Sequence, residues 1–130
     1  MANEIIDAET KLAALITENK LGEVIKPLKK EIHLFDTYVA GTSYLEDPTV
    51  LEEVVIGDTL ILRREDNKFD ENAILVLTED NRKLGYIPEK DNIVFSRLMD
   101  AGKLLIAKIA KVEQRGKFTL ISIGIYLVDF

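Results

Sequence analysis

Ten consecutive residues, Arg63-Arg64-Glu65-Asp66-Asn67-Lys68-Phe69-Asp70-Glu71-Asn72, bring together three cations, four carboxylates, two asparagine amides and one aromatic ring. The runs on either side, Thr59-Leu60-Ile61-Leu62 and Ala73-Ile74-Leu75-Val76-Leu77, read as buried strands. A turn between two strands needs a few polar residues, but it does not need Arg63, Arg64, Phe69 and Asp70 gathered at one place. Loops held by a rigid β scaffold are where binding residues concentrate. This loop is the candidate functional segment.

Catalytic chemistry finds little support. The single histidine, His33, has neither a second histidine nor a thiol to work with, so it reads as an ordinary strand residue rather than a metal ligand or a general base. No glycine-rich phosphate loop ends in Lys-Ser/Thr, and no dinucleotide fingerprint follows a strand. Asp66, Asp70 and Glu71 lack the glycine and the regular oxygen spacing of a calcium loop. Only these clustered acids keep a nuclease-like metal enzyme in view. The expectation is a chain without catalytic activity or cofactor.

The elements that must position the loop are mostly strands. Residues 32–39 are β-prone and end at Gly41, a polar connection containing Pro48 follows, and strands are expected near 59–65, 73–78 and 84–87. Pro88 opens a helix, with Asp91 or Asn92 as N-cap, Ile93, Val94, Leu98 and Met99 as its apolar face, and Gly102 as its stop. Two longer strands close the chain. One alternates on Leu104, Ile106, Ile109 and Val112. The other alternates on Phe118 and Leu120, then on Ile123, Ile125 and Leu127 after a phase change. The tetrad Gln114-Arg115-Gly116-Lys117 turns between them. About six strands and one helix predict a mainly β fold, a small six-stranded antiparallel barrel. Residues 1–30 read as an amphipathic helix and linker, with Ile5, Leu12, Leu15 and Ile16 at helical spacing, and residues 31–130 as the barrel domain.

A chain of 130 residues suits one such domain. No apolar run approaches the roughly 20 residues of a membrane helix. The N-terminus lacks a signal-peptide pattern and there is no cysteine, so a cytoplasmic location is the expectation. The formal net charge is −6. Residues 1–30 are balanced, and residues 31–130 carry 12 basic against 18 acidic side chains. Proteins that coat duplex DNA are usually basic, because phosphate neutralisation supplies most non-specific affinity. A local nucleic-acid site remains compatible with this balance.

Four segments in order resemble the HIRAN family: Val39-Ala40-Gly41-Thr42-Ser43-Tyr44, Gly57-Asp58-Thr59-Leu60-Ile61-Leu62-Arg63-Arg64-Glu65, Asn67-Lys68-Phe69-Asp70-Glu71-Asn72-Ala73-Ile74-Leu75-Val76, and Lys83-Leu84-Gly85-Tyr86-Ile87-Pro88. The resemblance implies an OB-like barrel that binds single-stranded DNA and captures its free 3′ end. It places Tyr44 and Phe69 where family members stack rings on terminal bases, and Asp70 where a carboxylate accepts the terminal 3′-hydroxyl. Asn67 and Phe118 fall at positions associated with the same pocket. Arg63, Arg64 and Lys68 are candidates for the preceding phosphates. Arg63 alternates with Arg64 along one strand, so at most one of the two reaches a ligand. Ser43 and Glu89 stand where DNA-binding relatives carry basic residues, and Lys90 is the substitute for the second. Tyr86 is a further candidate, with a core ring and a surface hydroxyl as its structural alternative. Gly41 and Gly85 read as backbone devices for a bend or a close approach.

The physical logic is consistent. Stacking on a base is worth roughly 1–3 kcal/mol and tolerates any sequence. A carboxylate repels phosphates, and becomes useful only where a terminal sugar offers a hydroxyl donor. The resemblance implies a role in DNA repair or replication-fork processing beside a helicase or nuclease partner. A second reading keeps the barrel but makes it a protein-interaction module with weak or lost DNA binding. In that reading the N-terminal helix pairs with a partner or with another copy of the chain.

Overall fold

In the computed structural model of this chain the described residues are 30–129. The arm expected over residues 1–30 lies outside them apart from Lys30, as does any pairing through its helix. Among the described residues six strands are formed: β1 (Lys30–Tyr38), β2 (Thr59–Arg64), β3 (Ile74–Leu77), β4 (Lys83–Tyr86), β5 (Leu104–Arg115) and β6 (Phe118–Asp129). One helix, α1 (Glu89–Asp100), joins β4 to β5, and two 3₁₀ turns, Thr42–Tyr44 and Pro48–Glu52, lie between β1 and β2. The sheet order is β1-β6-β5-β2-β3-β4. The pairs β2–β3, β2–β5, β3–β4 and β5–β6 are antiparallel. The expected mainly β architecture with one interposed helix is the observed one.

The sheet curls until its two ends meet. Just past β1, the Val39 N–H donates to the Ile121 carbonyl of β6 at 2.9 Å. The next residue, Ala40, exchanges two backbone hydrogen bonds with Tyr86 of β4, at 2.8 and 2.9 Å. This single bridge is the seam of the curled sheet. It requires Gly85, because a Cβ there would sit 2.3 Å from the Ala40 carbonyl oxygen and 2.6 Å from a Val39 methyl. Immediately after the seam, Gly41 takes a left-handed conformation (φ 81°) that aims the following 3₁₀ turn outward.

The core is filled by alternating inward residues: Leu60 and Leu62 of β2, Ile74 and Val76 of β3, Leu105, Ala107 and Ile109 of β5, and Ile121, Ile123 and Ile125 of β6. Burying each large aliphatic side chain contributes about 1.5–3 kcal/mol. Two details differ from the sequence expectation. In β5 the inward phase runs through Leu105 and Ala107, while Leu104 is exposed. Leu104, Leu105 and Ile106 offer apolar groups to both faces, so alternation alone cannot choose between them. The pairing of Ala107 with Ile125 decides it. In β6 the inward phase is already set at Thr119 and Ile121, so Phe118 and Leu120 lie on the outer face and no phase change separates them from Ile123.

Helix α1 also begins earlier than expected. Pro88 occupies the N-cap position and Glu89 and Asp91 lie in the first turn, where carboxylates favour the helix dipole. Asp91 and Asn92 are therefore helical residues and not caps. The buried residues of α1 are Asn92, Phe95 and Ser96, whereas Ile93 and Val94 are exposed. An apolar face drawn from Ile93 and Val94 is thus corrected to one centred on Phe95. Two buried polar residues displaced it, and their partners explain why.

Candidate nucleic-acid interface

The loop after β2 is built from two successive Asx turns. Asn67 Oδ1 accepts the Phe69 N–H at 2.8 Å, and Asp70 Oδ1 accepts the Asn72 N–H at 2.9 Å. The Glu65 N–H reaches the Ala73 carbonyl at 3.1 Å, closing the base of the loop. Asp70 Oδ2 accepts from Asn92 Nδ2 of α1 at 2.8 Å, and the Ser96 hydroxyl donates to Asn72 Oδ1 at 3.2 Å. Asp70 is therefore a turn organiser and also a carboxylate held in one orientation. Phe69, between these fixed points, is 85% exposed.

Asn67, Phe69, Asp70 and Tyr86 line one concavity together with Ala40, Gly41 and Glu89. Tyr44, 89% exposed, lines a neighbouring one with Arg82 and Lys83. The boundary between the two is the Lys83–Tyr86 pair: the ammonium sits 4.5 Å from the centre of the Tyr86 ring and 3.2 Å from its hydroxyl. Lys68 lies 5.3 Å from the Phe69 ring centre. Among the described residues, neither lysine is paired with a carboxylate. Phe118 lines neither concavity. It lies at the start of β6 beside Thr119, whose carbonyl accepts the Thr42 hydroxyl at 3.0 Å and so ties the Tyr44 turn to that strand.

Two expected cations are spent elsewhere. The Arg64 guanidinium donates to the Ala73 carbonyl at 2.6 Å, to the Glu71 carbonyl at 2.7 Å and to Asp100 Oδ1 at 2.9 Å. It braces the loop from below, and its donors do not face the concavity. Lys90 pairs with Asp91 Oδ2 at 2.9 Å and lies 5.5 Å from the Tyr38 ring, in a separate groove with Lys111. The hydrogen bond to Asp91 raises its pKa above the ordinary lysine value. The position facing the rings belongs to Glu89, so Lys90 does not stand in for the missing base there. Arg63, on the alternate face, donates to Asn81 Oδ1 at 2.8 Å. His33, exposed on β1, bonds Asp36 at 2.6 Å and packs edge-on against Tyr126, as an ordinary strand residue does.

Sequence reasoning missed Glu65, Lys83, Asn92 and Ser96. Glu65 Oε1 accepts from both the Tyr86 hydroxyl and Asn67 Nδ2, at 2.8 and 3.1 Å. Asn92 and Ser96 carried one signal, two polar residues four apart within a helix that otherwise needs an apolar face. Among the described residues no three His, Cys, Asp or Glu side chains gather as a metal site, and no helix is long and apolar enough to cross a membrane.

A curled six-stranded antiparallel sheet, with exposed rings beside an oriented carboxylate, defines a small OB-like β protein with a cleft on its surface. The HIRAN domain family model matches residues 32–126, and the chain belongs to that family. A protein from Lactobacillus plantarum, known from its crystal structure, is 28% identical with a TM-score of 0.72, the match covering 78% of this chain and 99% of that one. The crystal structure of the HIRAN domain of human HLTF shares the fold, with a TM-score of 0.60 at 15% identity over 75% of this chain and 78% of that one. No curated protein matches the chain in sequence.

Proposed function

We propose that this chain is a non-catalytic module that binds single-stranded DNA and recognises a free 3′-hydroxyl end. HIRAN domains are in general DNA-binding modules. The observation that carries the finer reading is the juxtaposition, in one concavity, of the 85%-exposed Phe69 with the doubly hydrogen-bonded carboxylate of Asp70. A ring so exposed on an anchored loop contributes little to folding, and a base face is a suitable partner for it. A carboxylate has about four acceptor positions, and Asp70 uses two of them within the protein. The remaining ones suit a hydroxyl donor and repel a terminal phosphate. Lys68 and Lys83, which lie beside the rings, would meet the preceding phosphates in this reading, and Tyr44 the next base. Such a module would serve DNA repair or fork processing in the cytoplasm, beside a helicase or nuclease.

Fluorescence anisotropy at low salt with a short oligothymidine ending in 3′-hydroxyl or 3′-phosphate tests this reading. The hydroxyl end is expected to bind more tightly, and Asp70→Ala to abolish the difference. Equal binding of both ends by the wild-type protein would refute end recognition. A second reading, a protein-interaction module on the same barrel, is favoured by Glu89 facing the rings and by the engagement of Arg64 and Lys90. It predicts no oligonucleotide binding at tens of micromolar protein.

A further inference from the structure

The loop that presents Phe69 and Asp70 is fastened to one stripe of α1. Asn92, Ser96 and Asp100 follow one another at steps of four and so share a helix face. Each holds a different point of the loop: Asn92 the Asp70 carboxylate at 2.8 Å, Ser96 the Asn72 amide at 3.2 Å, and Asp100 the Arg64 guanidinium at 2.9 Å. Asn92 is 1% exposed and Ser96 is fully buried. Buried polar side chains persist where they have partners; the loop supplies one to each, and Ser96 Oγ also lies 2.9 Å from the Ile93 carbonyl of its own helix. The Asn92 amide is bonded to the loop alone, so its buried polarity is satisfied by the loop.

From this stripe we infer that Asn92 is a positioning residue for end recognition, a role that rests on reading the cleft as a 3′-hydroxyl site. Its side chain fills one acceptor position on Asp70 Oδ2 while the Asn72 N–H fills one on Oδ1. The carboxylate plane is thereby fixed, in the concavity that Phe69 and Tyr86 also line. A carboxylate free to rotate would take its hydrogen bonds from water. One held in place offers a hydroxyl a formed acceptor without first being ordered.

The test compares wild type with Asn92→Leu, which keeps the branching at Cγ and removes the donor. Binding of 3′-hydroxyl and 3′-phosphate oligothymidine is measured by anisotropy, with melting temperatures alongside. The preference for the hydroxyl end is expected to fall about tenfold, the scale of one charge-assisted hydrogen bond, with little change for the phosphate end. Ile93→Ala, on the exposed side of α1, should leave the preference as it is. Without DNA, amide exchange at Asn72 should quicken in Asn92→Leu. Should that variant fail to fold, Asn92→Ser, too short to reach Asp70, is read in the same assays. A wild-type preference that survives the substitution overturns the role of Asn92 and leaves the cleft reading standing. A wild type that binds both ends alike overturns the cleft reading, and this role falls with it.

Discussion

The Tyr86 hydroxyl donates to Glu65 Oε1 at 2.8 Å, and the same oxygen accepts the Asn67 side-chain amide at 3.1 Å. One carboxylate thus joins β4, the end of β2 and the loop whose next turn carries Phe69. The other side of the Asn67 amide is occupied by the Phe69 N–H, so the orientation of the ring-bearing segment depends on a tyrosine in another strand. Tyr86→Phe removes the hydroxyl and leaves the ring. It is expected to lower stability by about 1 kcal/mol in urea titration. A midpoint equal to that of the wild-type protein would mean that water replaces the phenol without loss.

Phe69→Ala separates recognition from folding. With the ring 85% exposed, the variant should stay within about 0.5 kcal/mol of wild-type stability. Its affinity for oligothymidine should drop by roughly 1–3 kcal/mol, the value of one stacked base. Unaltered affinity would remove Phe69 from the interface.

Salt dependence sorts the cations. Lys68 and Lys83 flank the rings, while Arg64 is bound to two carbonyls and to Asp100. Each of Lys68→Ala and Lys83→Ala should flatten the plot of log affinity against log salt by about 0.7. Arg64→Gln should leave that slope alone and instead destabilise the protein by about 1–2 kcal/mol. A flattened slope for Arg64→Gln would return that residue to the phosphate path.

Gly85→Ala drives a methyl into the Ala40 carbonyl, 2.3 Å from where the Cβ must go. The obstacle is backbone and not a flexible side chain, so the cost should reach about 3 kcal/mol. Chemical denaturation measures it, and a loss below about 1 kcal/mol would mean that the seam is not needed for stability.

Asp91 predicts an acid limb. Burial pushes its carboxyl up, but hydrogen bonds from Lys90 and from the Thr37 hydroxyl, at 2.9 and 2.7 Å, more than offset this and hold it below the ordinary value of 3.8. A carboxyl lowered on folding stabilises the native state in full above the unfolded-state pKa of about 3.9, and that stability disappears as pH falls through the native value. Asp91→Asn should be less stable than wild type at neutral pH, with the gap narrowing below about pH 4. A gap of constant size from pH 6 to pH 3 would contradict the assignment.

The strands around the loop were readable because their flanks are apolar and their turns are marked by Asn, Asp and Gly. The phase of β5 was not, since Leu104, Leu105 and Ile106 satisfy either face until Ala107 meets Ile125 across the ladder. Of the residues that the resemblance implied, Asn67, Phe69 and Asp70 line one concavity, which Tyr86 shares, while Tyr44 lines another and Phe118 neither. The roles of Arg64 and Lys90 were illegible for a different reason. A sequence declares a charge but not its partner, and Asp100 and Asp91 claim these two. Glu89 lines the concavity, and its neighbour Lys90 turns to a separate groove.

Ala40 and Tyr86, which exchange the only hydrogen bonds across the seam among the described residues, are themselves walls of the concavity that holds Phe69. Anything lodged there braces this two-bond join like a clasp over a zip. Occupancy and endurance of the barrel are then two readings of one equilibrium, and an oligonucleotide that enters the concavity should raise the melting temperature with its concentration.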